Sequence, residues 1–458
     1  MKIKKEQMTG SDYILTNNYR DELNKLETND ISIFWMRRDL RLIDNTALSQ
    51  ALKSGNETII LFIFDNDILS NLKKDDARVS FIYDSLNSIN KSLSGYNSSL
   101  LVLKGDCMKC WKEIITELNI KSVYCNRDYE PYARQRDSEV EELLKSVGIE
   151  FHSYKDQVIF EKDEVVKNDS LPYTIFTPYS KKWMSRLQQN GIPEEQNSAD
   201  LLKHLAKVNF PMPDIRETGF KKSTLKPFKF RPENINDYDK HRDIPSMDAT
   251  SFAGTYLRFG IISIRQLVKT AWMVNKVYLD ELIWREFFMQ ILYHFPHVNG
   301  NSFRLKYDNI QWTNDTELFD RWCAGKTGYP IVDAGMRQLN ETGYMHNRVR
   351  MITASFLCKH LLTDWRWGER YFAEKLFDFE LSSNNGNWQW AAGSGCDAAP
   401  YFRVFNPWQQ AKKFDSESEY IKKWIPEYGT PDYPEPLIDH KYARNRAIET
   451  YKHYIKTE

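Results

Sequence analysis

The chain has 458 residues, with 63 Lys and Arg against 63 Asp and Glu, so its formal net charge is zero. That balance excludes a global basic field, and any contact with nucleic acid must come from a local patch. The length suffices for two domains with cores of their own, and the one compositional anomaly is an aromatic content of 14%.

Residues 1–30 carry Lys2, Lys4, Lys5, Glu6 and Asp12 and no apolar signal core, and read as an N-terminal extension with one amphipathic helix around Tyr19 to Leu26. No apolar run is long enough to span a bilayer, so the expected location is the cytoplasm. The six Cys, at 107, 110, 125, 323, 358 and 396, are scattered. Cys107 and Cys110 have the CxxC spacing, but no second pair completes a zinc site, and reduced thiols are the simpler reading.

From Ile31 the text changes. ISIFWM (31–36), TIILFIF (58–64), SSLLVL (98–103), KSVYC (121–125) and IEFHSY (149–154) are short apolar runs. Helix-like segments lie between them: Asn45–Ser54, Ala77–Leu93, Met108–Leu118 and Ala133–Val147. This alternation predicts an α/β domain over 31–155, with a doubly wound parallel sheet covered on both faces. No GxGxxG follows the first strand; Arg37, Arg38, Asp39, Leu40 and Arg41 stand there instead. Three Arg around one Asp either bind an anion or tie this domain to its neighbour by salt bridges, and the second is favoured.

Residues 156–235 lose the rhythm. Pro172, Pro178, Pro193, Pro211, Pro213, Pro227 and Pro232 punctuate them, with a basic run at Lys221, Lys222, Lys226, Lys229 and Arg231. They read as a surface connector whose charges are solvated. Residues 236–458 read as an all-α domain. Over Leu279–Tyr293, Glu281, Trp284, Arg285 and Phe288 share a helical face, as do Asn347, Arg350 and Met351 over His346–Leu362. A carboxylate, a Trp and an Arg on one face imply something polar against them. Four of the 13 Trp fall between Trp365 and Trp390, a density that points to a polar cofactor among rings.

These strings carry a resemblance. MRRDLRLIDNTAL (36–48), ELIWREFF (281–288), GKTGYPIVDAGMRQL (325–339), MHNRVRM (345–351), DWRWGERYF (364–372) and NNGNWQWAAGSGCDAAPYFRVFNP (384–407) resemble the photolyase/cryptochrome family, closest to its class I cyclobutane pyrimidine dimer (CPD) enzymes. The resemblance runs from Ile31 to about Trp424. It implies a helical domain holding non-covalent FAD, active when reduced, and light-driven repair of pyrimidine dimers in damaged DNA by a monomer. Tyr238, Thr250, Ser251, Phe252, Ala253 and Gly254 resemble the loop that meets the pyrophosphate, with Arg285 supplying charge. Arg350 and Asp378 resemble the ion pair beside the flavin, Glu380 a further cofactor contact, and Asn384 the amide that faces flavin N5. Trp388, Trp365 and Trp312 match the chain of rings that carries an electron from the surface. Glu281, Trp284, Asn347, Met351 and Trp390 match the lesion pocket, and Arg348 a phosphate contact. Among these, Glu281, Asn347, Met351 and Asn384 are the expected catalytic set.

Two positions depart from the family pattern. The phosphate loop usually reads Thr-Ser-x-Leu-Ser, so Gly254 lacks the last hydroxyl; Glu380 stands where many members have Asp. The (6-4) photoproduct enzymes carry His at the positions of Asn347 and Met351. Plant-type cryptochromes, signalling members, extend far past the core. A blue-light photoreceptor and a (6-4) enzyme remain the alternatives to a CPD photolyase. Folate-antenna members carry a Glu where Ala133 stands, so a folate loses a key partner, and a deazaflavin as second chromophore, or none, is possible, with the identity open.

Overall fold

A computed structural model describes residues 17–26, 29–196 and 199–456. Five strands form one parallel sheet in the order β3-β2-β1-β4-β5: β1 (Ile31–Met36), β2 (Glu57–Asp65), β3 (Leu100–Gly105), β4 (Ile120–Asn126) and β5 (Glu150–Tyr154). The crossovers are the helices Thr46–Leu52, Ala77–Leu93, Cys107–Glu117 and Pro131–Ser146. Three begin on side-chain caps, with Asn45, Asp76 and Asp106 accepting from the backbone N–H of Leu48, Arg78 and Lys109. The period of two is visible along β1. Ile31, Ile33 and Trp35 enter a core with Trp111, Val140 and Leu144, while Phe34 and Met36 enter another with Leu48, Ala51 and Leu86. The doubly wound sheet is as anticipated.

The helix Asn17–Asn24 packs on the first of these cores. Tyr19, Leu23 and Leu26 are buried there, each contributing roughly 2 kcal/mol, and the Tyr19 hydroxyl donates to Pro211 O at 2.6 Å. This part of the expected extension therefore belongs to the core of the sheet domain. Cys107 and Cys110 lie buried in the first turn of their helix, where burial pushes the Cys107 thiol up.

The expected surface connector is corrected in one respect. It contains the helix Phe176–Asn190, which buries Tyr179, Trp183 and Leu187. Its prolines do not oppose that helix, because Pro178 sits in the first turn, where its missing N–H has no partner to lose, and Pro172 and Pro193 flank it. Lys221, Lys222, Lys226 and Lys229 are exposed.

The C-terminal half is helical. Its centre is built from Lys276–His294, Pro330–Thr342, Asn347–Ser355, Trp365–Lys375 and Leu381–Ala392. Asn347–Ser355 does not run on as a regular α-helix to Leu362; its continuation, Phe356–His360, is a π-turn. The loop after β1 joins the two halves. Arg41 donates to Gly260 O at 3.0 Å and pairs with Asp156 at 2.5 Å, and Arg38 reaches Arg258 O at 3.3 Å and Glu380 at 2.6 Å. Of the two readings of this loop, the interdomain tie is the one observed.

Candidate active site

Three helices converge on one cleft. Asn347–Ser355 brings Asn347, Arg350 and Met351; Trp365–Lys375 brings Phe372; Leu381–Ala392 brings Asn384, Trp388 and Trp390. Asp378 and Glu380 enter from the turn between the last two. The cleft encloses about 600 Å³, part of it open to solvent. His346 starts the first of these helices, its Nδ1 accepting from Arg348 N at 3.2 Å.

Arg350 Nη2 meets Asp378 Oδ2 at 2.9 Å, and its Nε donates to Met345 O at 2.7 Å. The other Asp378 oxygen is buried without a hydrogen-bond partner. A buried acceptor left open beside a paired cation calls for a donor from a ligand. A second cavity of about 330 Å³, lined by Phe228, Phe252, Gly254, Tyr344 and Phe377, shares Asp378 with the first. Gly254 packs closely there: a Cβ would lie 2.9 Å from Asp378 Oδ2, so the Asp378 side chain would have to shift. The lost hydroxyl at this position thus coincides with a close approach of backbone to the ion pair. The paired cation, the open carboxylate oxygen and the aromatic walls fit a large, flat, polar-edged group such as FAD.

Other members of the expected cofactor set are held by partners within the protein. Glu380 spans from Arg38 to Arg285, at 2.6 and 3.4 Å. Arg285 also donates to Gln157 O at 2.8 Å, so its charge is shared with the domain boundary rather than presented to the cleft. The Ser251 hydroxyl is 2.8 Å from that of Tyr278, and the Thr250 hydroxyl 3.3 Å from that of Tyr344. Tyr238 packs edge-on to Tyr278 at 5.0 Å, and Ala253 is buried. Phe252 takes a left-handed φ of 54° and stacks on Phe228 at 4.8 Å. Asn384 lines the cleft and donates to Glu369 O at 3.0 Å, which orients its amide.

The lesion-side residues divide. Asn347, exposed at the rim, Met351 and Trp390 line the cleft. Glu281 and Trp284, on Lys276–His294, are not among the residues that line it. Glu281 pairs with Arg242 at 2.5 Å, and burial raises its pKa while that arginine lowers it. Trp284 stacks on Phe176 at 3.7 Å with an interplanar angle of 6°. Arg348 is engaged, by Asp243 at 2.6 Å and by the Phe414 ring at 4.5 Å, so a phosphate would compete with Asp243 for it. Arg242, Asp243 and Phe176 carry no signal in their own local sequence, because each matters only through a partner more than 35 residues away.

Trp388 and Trp365 are 2% and 1% exposed, while Trp312 is half-buried and meets Tyr451 at 5.8 Å. Trp388 contacts Phe372 at 4.9 Å and Trp322 at 6.2 Å, a ring that the sequence reading passed over. Gly368 makes room for it, since a Cβ there would fall 2.1 Å from the Trp388 ring. Ala133 is buried on Pro131–Ser146. Among the described residues no group of His, Cys, Asp and Glu could hold a metal ion, and no helix is long and apolar enough to cross a membrane.

Comparison with known proteins bears on this arrangement. Residues 32–198 match the model of DNA photolyase, and residues 278–431 that of the FAD binding domain of DNA photolyase. The chain is 36% identical to a deoxyribodipyrimidine photo-lyase of Synechococcus sp., over 92% of this chain and 96% of that protein. It is 35% identical to the Escherichia coli protein of the same description, over 92% and 98%. An archaeal photolyase from Sulfolobus tokodaii, solved with two FAD molecules, superposes with a TM-score of 0.80 at 34% identity, over 92% of this chain and all of that one. A cryptochrome from Synechocystis sp. shares the fold, with a TM-score of 0.79 at 24% identity, over 93% of this chain and 100% of that one. With both halves matched in order and relatives aligned over nearly their whole length, the chain belongs to the DNA photolyase family.

Proposed function

We propose that this chain splits cyclobutane pyrimidine dimers in DNA. Light drives one electron into a dimer held in the cleft, both bonds between the pyrimidines open, and the electron returns. FAD, bound non-covalently and fully reduced, supplies the electron on excitation. Arg350, Asp378 and Asn384 would hold it, with Tyr238 and the 250–254 segment, while Glu380 borders the cleft and Arg285 pairs with Glu380. Asn384 is suited to a reduced, electron-rich ring because a neutral amide donates a hydrogen bond without adding a full charge. The one observation that carries the reading is the shared cleft: Asn347, Met351 and Trp390 line the same space as Arg350, Asp378 and Asn384.

On the substrate side, Trp284 and Trp390 offer ring faces to a flipped-out pyrimidine pair. Asn347 and Glu281 hydrogen-bond its polar edges. Burial raises the pKa of Glu281 against the opposing pull of Arg242, its partner at 2.5 Å. Asn347 and Met351, where (6-4) enzymes carry His, favour the cyclobutane substrate. The protein acts as a monomer in the cytoplasm, with Trp388, Trp365 and Trp312 renewing the reduced state. Reduced protein should restore a CPD-containing single strand under blue light and leave it unchanged in the dark. A dimer that survives illumination contradicts the proposal.

A further inference from the structure

Strands β1 and β4 are neighbours in the sheet, and their crossovers leave in opposite directions. The crevice at their carboxyl ends is where a doubly wound sheet ordinarily takes its ligand. Here side chains that follow β1 occupy it: Arg37 and Asp39 bond to Asn126, and Arg38 reaches further. Arg38, just past β1, lies 3.0 Å from Asp128 and 3.0 Å from Glu130, both just past β4. Its remaining nitrogen crosses to the helical domain and meets Glu380, 342 residues away in sequence, at 2.6 Å.

Glu380 is no ordinary boundary residue. Its side chain is 6% exposed, it lines the cleft, and it immediately precedes the helix that carries Asn384 and Trp388. Its other oxygen has weaker partners, Arg285 at 3.4 Å and the Ser383 hydroxyl at 3.3 Å, and Arg285 is shared with Gln157 O. The Asp378 charge is already answered by Arg350. Without Arg38, the buried Glu380 carboxylate would keep only the longer Arg285 contact, at 3.4 Å, as a cationic partner beside the space where a cofactor bearing two phosphates is to sit. The Glu at this position, one methylene longer than the usual Asp, has the arm that reaches Arg38.

We propose that Arg38 is a positioning residue for FAD: from the sheet domain it holds and neutralises Glu380 at the edge of the cleft. The switch point of the sheet thereby serves cofactor retention in the other domain. This rests on the reading of the cleft as the FAD site.

The test is a titration of the full-length apoprotein with FAD, followed by flavin fluorescence. Arg38→Met should raise the dissociation constant about tenfold. Glu380→Gln in the same background should bring it back to within about threefold of wild type, since the under-compensated charge is then gone. Asp128→Asn in that background should restore nothing, although it relieves an equally stranded carboxylate. A wild-type dissociation constant in Arg38→Met overturns the proposal, as does a loss that Glu380→Gln fails to restore, which would mark Arg38 as a purely structural tie. A wild-type chain that takes up no FAD removes the cofactor reading of the cleft, and the proposal with it.

Discussion

His346 starts the helix that presents Asn347, Arg350 and Met351, and its Nδ1 must stay unprotonated to accept the Arg348 N–H. Burial, then the nearby Arg350 charge, pushes its pKa down to about 4. The unfolded chain binds this proton more readily, so the residue contributes stability that is complete above about pH 6.5 and lost as pH falls towards 4. The contribution is about 3 kcal/mol. His346→Asn keeps a cap that does not titrate in this window. Urea unfolding of the variant should show a flatter stability profile between pH 6.5 and 4, with little change at pH 8; equal slopes would refute the assignment. Trp388 tests a different property. Phe at this position keeps the ring packing against Phe372 but raises the cost of oxidising it. Photoreduction of Trp388→Phe should therefore fail, while repair by chemically reduced protein stays largely intact. Loss of both together would show that the ring serves the cleft rather than electron supply.

At the scale of elements, the helix Phe176–Asn190 matters most, because its first ring covers one face of Trp284 and its first N–H donates to Asp397 at 3.0 Å. One face of Trp284 is thus covered, and Phe288 and Phe287 also contact the ring, at 5.4 and 5.6 Å. Phe176→Leu keeps apolar character but loses the stack, worth about 1 kcal/mol. Affinity for CPD-containing DNA should fall about fivefold, with affinity for undamaged DNA and FAD content unchanged, and Phe176→Tyr should restore it. An equal loss on both DNAs would assign Phe176 to general packing. This helix was hard to read because seven prolines drew attention to the whole segment, whereas the decisive fact is where each stands in the turn. The sheet was easier. Continuous apolar runs such as ISIFWM and TIILFIF mean burial on both faces, and side-chain caps such as Asn45, Asp76 and Asp106 mark where the helices begin.

For the molecule as a whole, the members of the site lie within a few strings that can be read in one dimension, and Arg350, Asp378, Asn384, Asn347, Met351 and Trp390 do gather in one cleft. Their partners could not be read this way. Arg38 to Glu380, Arg242 to Glu281 and Phe176 to Trp284 are long-range pairs, and a local pattern carries no record of them. Those pairs tie the sheet domain, the connector and the helices together, and in the proposed function substrate choice rests on Asn347 and Met351. The most direct measurement is parallel illumination of the reduced protein with two oligonucleotides, one bearing a CPD and the other a (6-4) photoproduct, with product read by chromatography. The account predicts light-dependent restoration of the CPD strand alone. Repair of the (6-4) strand instead, or of neither, would contradict it.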